Sequence, residues 1–196
     1  MTTYVTTWTM PQDDVNLVSS AGQWNSWALQ VDGSNNPVTW VSQTPMQVIS
    51  ITMVEEYGAF ISSETDFPDG TVLKSISRYP VKLGSAYSWT GSNLIIDTFN
   101  DCDKSSVKLT NNSSGAWTFG LTKLDPKTKQ QQPICADMVL QKQPVTYTPI
   151  LTMYAKVGRT YKTSSIIADI GSWAKFQITS VDADFIFNHD STQWAV

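Results

Sequence analysis

Apolar and polar side chains alternate with a period of two through most of this chain. Trp27, Leu29 and Val31 fall on one side of an extended segment, and so do Trp117, Phe119 and Leu121. The same phase joins Leu151, Met153, Ala155 and Val157, then Phe176 and Ile178, then Phe185 and Phe187. That alternation predicts half-buried strands. No stretch keeps apolar residues at helical spacing for three turns, and Val, Ile, Thr and aromatics outnumber strong helix formers in these segments, so parallel α/β folds with crossover helices are excluded. Turn chemistry separates the runs. Asp32-Gly33-Ser34-Asn35-Asn36-Pro37 closes one hairpin, and Asp125 to Pro133, Pro68-Asp69-Gly70 and Thr90-Gly91-Ser92-Asn93 mark others.

The chain also echoes itself. Val15-Asn16-Leu17, Gly22-Gln23-Trp24, Leu29 and Asp32 recur as Val107-Lys108-Leu109, Gly115-Ala116-Trp117, Leu121 and Asp125. Thr44-Pro45, Thr52-Met53, Gly58 and Ser62-Ser63 recur as Thr148-Pro149, Thr152-Met153, Gly158 and Ser164-Ser165. Small insertions in surface loops account for the changing offset. The expected fold is all-β: two tandem antiparallel β-sandwich modules related by internal duplication, residues 1–99 and 100–196, or one pseudo-twofold β-sandwich. Trp24 and Trp117 hold equivalent positions beside strand starts and are expected to anchor the core of each copy. The C-terminal segment, Phe185 to Val196, partly repeats the Val15 to Trp24 pattern and is expected to complete a sheet.

Charge refines this picture. Of 196 residues only 15% are charged, against a usual share of about a quarter, so the surface is neutrally polar. The net charge of −4 argues against a general nucleic-acid binder, which needs a basic face. Residues 1–98 hold 3 basic and 9 acidic side chains, residues 99–196 hold 10 and 8. Opposite signs in the two halves suit head-to-tail attraction and hence a homo-oligomer. The N-terminus lacks the basic and apolar regions of an export signal, and no run approaches a membrane span. The expectation is a soluble cytoplasmic chain, or one released without a signal peptide. Cys102 and Cys135 lack zinc-site spacing and are read as a reduced pair, with a disulfide as the alternative. Asn111-Asn112-Ser113-Ser114 carries glycosylation patterns but reads as a turn.

Catalytic constellations are sparse. The single histidine, His189, sits in a polar turn with Asp190 and Ser191, and no nucleophile elbow occurs. Glu55 and Glu56 are adjacent, so on a strand only one of them could enter a cleft. Asp101/Asp103 and Asp182/Asp184 would supply too few oxygens for calcium by themselves, and phosphate-binding glycine motifs are absent. No catalytic residue, metal site or cofactor is assigned, and the chain is read as a non-enzyme. Aromatics interleaved with amides remain. The loop from Asp32 to Asn36 lies between Trp27 and Trp40, and Trp40 aligns with Tyr147 through Pro37-Val38-Thr39-Trp40 and Pro144-Val145-Thr146-Tyr147. Rings that stack on a pyranose and amides that take its hydroxyls make Trp27, Asp32, Asn35, Asn36, Trp40 and Tyr147 a lectin-like carbohydrate site for a glycan or glycoconjugate. Two other readings stand beside it: a self-associating structural or inclusion protein, and a membrane-active, pore-forming β protein.

Overall fold

The computed structural model describes residues 2–73, 77–99, 101–179, 181–188 and 193–195. Strands account for 54% of the protein and helix for 7%. The chain runs β1 (Thr3–Thr9), α1 (Gln12–Ser20), β2 (Trp24–Asp32), β3 (Thr39–Gln43), β4 (Val48–Val54) and β5 (Tyr57–Ser62). It continues through β6 (Ser77–Val81), β7 (Ser85–Trp89), β8 (Leu94–Ile96), β9 (Val107–Asn111), β10 (Trp117–Leu124), β11 (Gln131–Pro133) and β12 (Asp137–Val139). The long β13 (Pro144–Gly158) is followed by a short 3-10 turn at Ile170–Ser172, then β14 (Ala174–Gln177), β15 (Asp182–Asn188) and β16 (Gln193–Ala195).

Three open sheets result, in the orders β16-β15-β1-β4, β11-β10-β5-β6 and β3-β2-β13-β9-β7-β8, with β12 beside β10 and β14 beside β13. Most pairs are antiparallel, as the short turns predict. The pairs β1–β15 and β7–β9 are parallel; β1 and β15 are joined by a long excursion through the other sheets, and β7 and β9 by a connection of residues 90–106 that carries β8, both long enough to free the return direction. Each sheet takes strands from both sides of residue 99, so the hydrogen-bonded layers are not sorted by chain half.

One helix departs from the all-strand expectation. Pro11 precedes it, Asp13 and Asp14 lie in its first turn, and Val15 and Val18 bury one side. Proline before a helix and carboxylates near its positive end both favour the start. At nine residues α1 is too short to produce three turns of apolar periodicity. Consequently Val15-Asn16-Leu17 is helical whereas Val107-Lys108-Leu109 opens β9. Trp24 and Trp117 do each open a strand, but both are only half-buried.

The deepest tryptophans are instead Trp8, Trp27 and Trp40. A single core joins Trp8, Ile49, Ile51 and Phe185 of the four-stranded sheet to Trp27, Leu29, Met153 and Tyr147 of the large sheet and to Phe119 and Leu121 of the third. The opposite face of β10 and β5 is covered separately, around Phe60, Leu73, Ala136 and Ile166. The outer face of β2 is covered around Ala28 by Tyr161, Ile167 and Trp173. β16 completes the edge of its sheet against β15 and seats Trp194 in the aromatic core.

Candidate functional site

The β2 stretch that lines the cleft of interest belongs to an irregular ladder. β13 pairs Pro149 with Val31 and Met153 with Leu29, so three residues of β13 stand opposite the single Gln30. A bulge of this kind pushes one strand away from its neighbour and is a recurrent device beside binding sites. Just past the bulge β13 is paired on both edges, with β2 from Met153 onward and with β14 from Thr152 opposite Gln177 to Ala155 opposite Ala174. Alongside the bulge lies an open cleft of about 420 Å³, whose walls include Gln30, Asp32, Ser34, Asn35, Tyr154 and Ile170.

Its polar groups are linked. The Tyr154 hydroxyl donates to Gln30 Oε1 at 3.4 Å, and Gln30 Nε2 donates to Asp32 Oδ1 at 2.9 Å. The 32–36 loop is held from below by Asp137, whose Oδ1 accepts from the Asn35 amide at 2.8 Å and from Asn36 Nδ2 at 3.4 Å. Ala136 N–H donates to Asn36 O and Pro37 bridges to Cys135, so the loop is stitched to the β11–β12 connection. Gly33 has φ +89°, and a Cβ there would run into the carbonyl of Thr146, so only glycine permits this close approach to β13.

The predicted site residues divide in two. Asp32, Asn35 and Asn36 lie together on the loop, with Asp32 and Asn35 exposed to the cleft. Trp27, Trp40 and Tyr147 are fully buried and offer no ring face to a ligand. Their polar atoms point inward: Trp40 Nε1 donates to Lys123 O at 3.3 Å and the Tyr147 hydroxyl to Phe119 O at 2.9 Å. Tyr147 titrates well above its ordinary range through burial, with Cys135 and Asp137 adding to the effect. Gln30 and Tyr154 were not anticipated; both occupy outward positions on their strands, which is the signal that identifies them.

Other candidates resolve separately. Glu55 and Glu56 form the exposed turn between β4 and β5. Asn111 is fully buried, and its amide bonds Gly115 O and Val139 O at 2.8 Å, which fits the turn reading. Cys102 and Cys135 are free thiols. Among the described residues no cluster of three His, Cys, Asp or Glu side chains is placed to hold a metal, and no helix is long and apolar enough to cross a membrane. His189, Asp190 and Ser191 lie outside the described residues.

Behind the cleft, Lys123 is buried with Nζ donating to Val54 O at 2.7 Å and lying 4.2 Å from the centre of the Tyr57 ring. Burial lowers its pKa from 10.5 to about 8, against the opposing pull of Glu55 and Glu56. Between these values the unfolded chain binds the extra proton, so stability rises with pH. Burial raises Cys135 above its ordinary 9.0 and Tyr57 from 10.0 to about 12, so stability falls with pH once those groups ionise in the unfolded chain. Burial raises Cys102 as well, so the thiols offset Lys123 increasingly as pH approaches 9, and Lys123 dominates only up to about pH 8.5. The unfolding free energy from urea denaturation should rise by about 0.5 kcal/mol between pH 7 and 8.5, and Lys123→Met should abolish the rise; a variant with the same slope as the parent would refute the assignment.

No family model, curated protein or solved structure matches this chain.

Proposed function

We propose that this protein is a non-enzymatic, lectin-like sugar binder, with the cleft beneath the 32–36 loop as its site. The observation that carries the reading is the convergence of one carboxylate, two amides and a phenol in an open cleft of about 420 Å³. That volume falls within the usual range for small-ligand sites. Asp32 accepts hydroxyl protons, Asn35 and Gln30 both donate and accept, and Tyr154 with Ile170 supplies the apolar wall. The cleft wall carries Asp32 as its one carboxylate, whereas glycoside hydrolysis takes two across the scissile bond, which favours binding without turnover.

A glycan array should give a hit whose affinity falls about 10- to 100-fold in Asp32→Ala and Asn35→Ala, the range for losing a hydrogen bond to a charged or well-placed partner. Variants that fold and bind unchanged would sink the site. The internal echo is proposed as an old duplication, supported by the aligned pair Trp40 and Tyr147, which are both fully buried and both donate to carbonyls of β10.

A second reading, self-association, is favoured by β8. This edge strand exposes Ile95 and Ile96, and Phe99 just beyond it is 97% exposed. Uncharged apolar edges are templates for pairing. Concentration-dependent assembly indifferent to sugar would select it.

A further inference from the structure

We infer that the surface formed by β13, β14 and the 156–175 segment that covers the outer side of β2 binds an acidic polysaccharide, one bearing sulfate or carboxylate groups, that continues outward from the cleft; this rests on the sugar-binding reading of that cleft. Register puts Trp24 opposite Gly158, Ser26 opposite Lys156, Ala28 opposite Tyr154, and Tyr154 opposite Lys175 in one phase, with Ala28 buried under Tyr161, Ile167 and Trp173 and Ser26 bonded to the Tyr161 carbonyl. Successive members of one phase project to the same side of a sheet.

Three ammonium groups rest on rings here. Lys175 Nζ lies 5.7 Å from the Tyr154 ring, Lys156 Nζ 5.7 Å from the Tyr161 ring and Lys162 Nζ 5.6 Å from the Trp24 ring. Lys156 also donates to Ser172 Oγ at 2.8 Å. A ring beneath an ammonium restrains it without neutralising its charge, which leaves the cation available to an anion.

Charge is concentrated in the same place. Residues 156–175 hold Lys156, Arg159, Lys162 and Lys175 against the single carboxylate Asp169, although the whole chain carries −4. Of the nearby acids, Asp69 is held by the Tyr161 hydroxyl and the Ala168 amide and Asp32 by Gln30, all neutral donors, so these carboxylates and Asp169 offset part of the charge and leave a modest positive excess. Tyr154 and Ile170 belong to both the cleft wall and this face, so a chain of sugars leaving the cleft meets the lysines next.

The face is a poor match for a lipid surface. None of the large exposed apolar side chains, among them Phe99, Ile96 and Leu17, lies on these three strands or on residues 159–173. Membrane binding needs apolar groups to insert as well as cations. The amides and carboxylate at the cleft end suit uncharged hydroxyls between the acidic groups, which DNA lacks.

The test compares dextran sulfate with unsulfated dextran of equal length, titrated into the intact protein at several salt concentrations. Dextran sulfate should bind more tightly than dextran, with affinity falling as salt rises. Lys162→Glu and Lys175→Glu should each weaken it about tenfold at low salt and shallow the salt slope by about one, with circular dichroism unchanged. Lys104→Glu, at an exposed position in the 97–106 connection, should change nothing. Equal binding of dextran, indifference to both lysine reversals, or equally tight binding of phosphatidylserine vesicles or single-stranded DNA would overturn the inference. Absence of any polyanion binding would overturn it too, while Asp32→Ala and Asn35→Ala, read on neutral glycans, judge the cleft separately.

Discussion

Trp8→Ala should destabilise the protein by about 3–5 kcal/mol, the range for removing a buried aromatic and leaving its cavity. Trp8 is fully buried at the point where two sheets meet. Its ring lies 4.4 Å from that of Phe185 and 5.1 Å from those of Phe176 and Trp194, and it meets Trp27 edge-on at 5.6 Å. Its Nε1 donates to Thr6 Oγ1 at 2.9 Å, so the one polar atom of the ring is satisfied. Alanine would remove contacts to β2, β14, β15 and β16 at once, and strands fixed by three other elements have little freedom to collapse into the void. The melting temperature should drop by roughly 10 °C, at about 2–4 °C per kcal/mol for a chain of this size. A loss under about 1 kcal/mol in urea denaturation would mean that this aromatic junction is not the centre of the core.

Gly120→Ala is the second large effect. Gly120 sits in the middle of β10, opposite Phe60 of β5, on a strand flanked by β5 on one side and by β11 and β12 on the other. A methyl group there would meet the Cys135 carbonyl and the Phe60 ring. The first of these is backbone, already fixed by the bridge from Pro37 to Cys135, so it has no rotamer by which to yield. Overpacking against backbone on a central strand should cost about 3 kcal/mol or more. Gly115→Ala is the matched control: nothing lies within 4 Å of its added Cβ, and its stability should stay within about 0.5 kcal/mol of the parent. Equal stability of the two variants would show that the close approach at Gly120 is not maintained in solution.

Much of the site was legible locally. The 32–36 loop was readable because Asp, Gly, Ser and Asn state their turn chemistry within six residues. The error lay with the rings. Trp27 shares its phase with Leu29 and Val31, and membership of that apolar stripe places it in the core, whereas Gln30, one step out of phase, reaches the cleft. Trp40 lies in a strand buried on both sides, where alternation no longer distinguishes inside from outside, while Tyr147 is the one buried residue between exposed or half-buried neighbours. Tyr154 became a wall of the cleft through pairing on both edges, with Ala28 of β2 and Lys175 of β14, segments far from it in sequence.

Alternation, turn residues and low charge determined by themselves that the chain is mostly strand and where many of its strands begin and end, because each is set by backbone preference and by which side chains shun water within a few residues. Only the tertiary structure decided which strands pair, that β1 and β7 have parallel partners, that α1 interrupts the first echo, and that lysines spread over twenty residues gather on one face. Those outcomes depend on pairing and packing between distant segments, whose free energy is shared across the whole core and written in no single stretch of the chain.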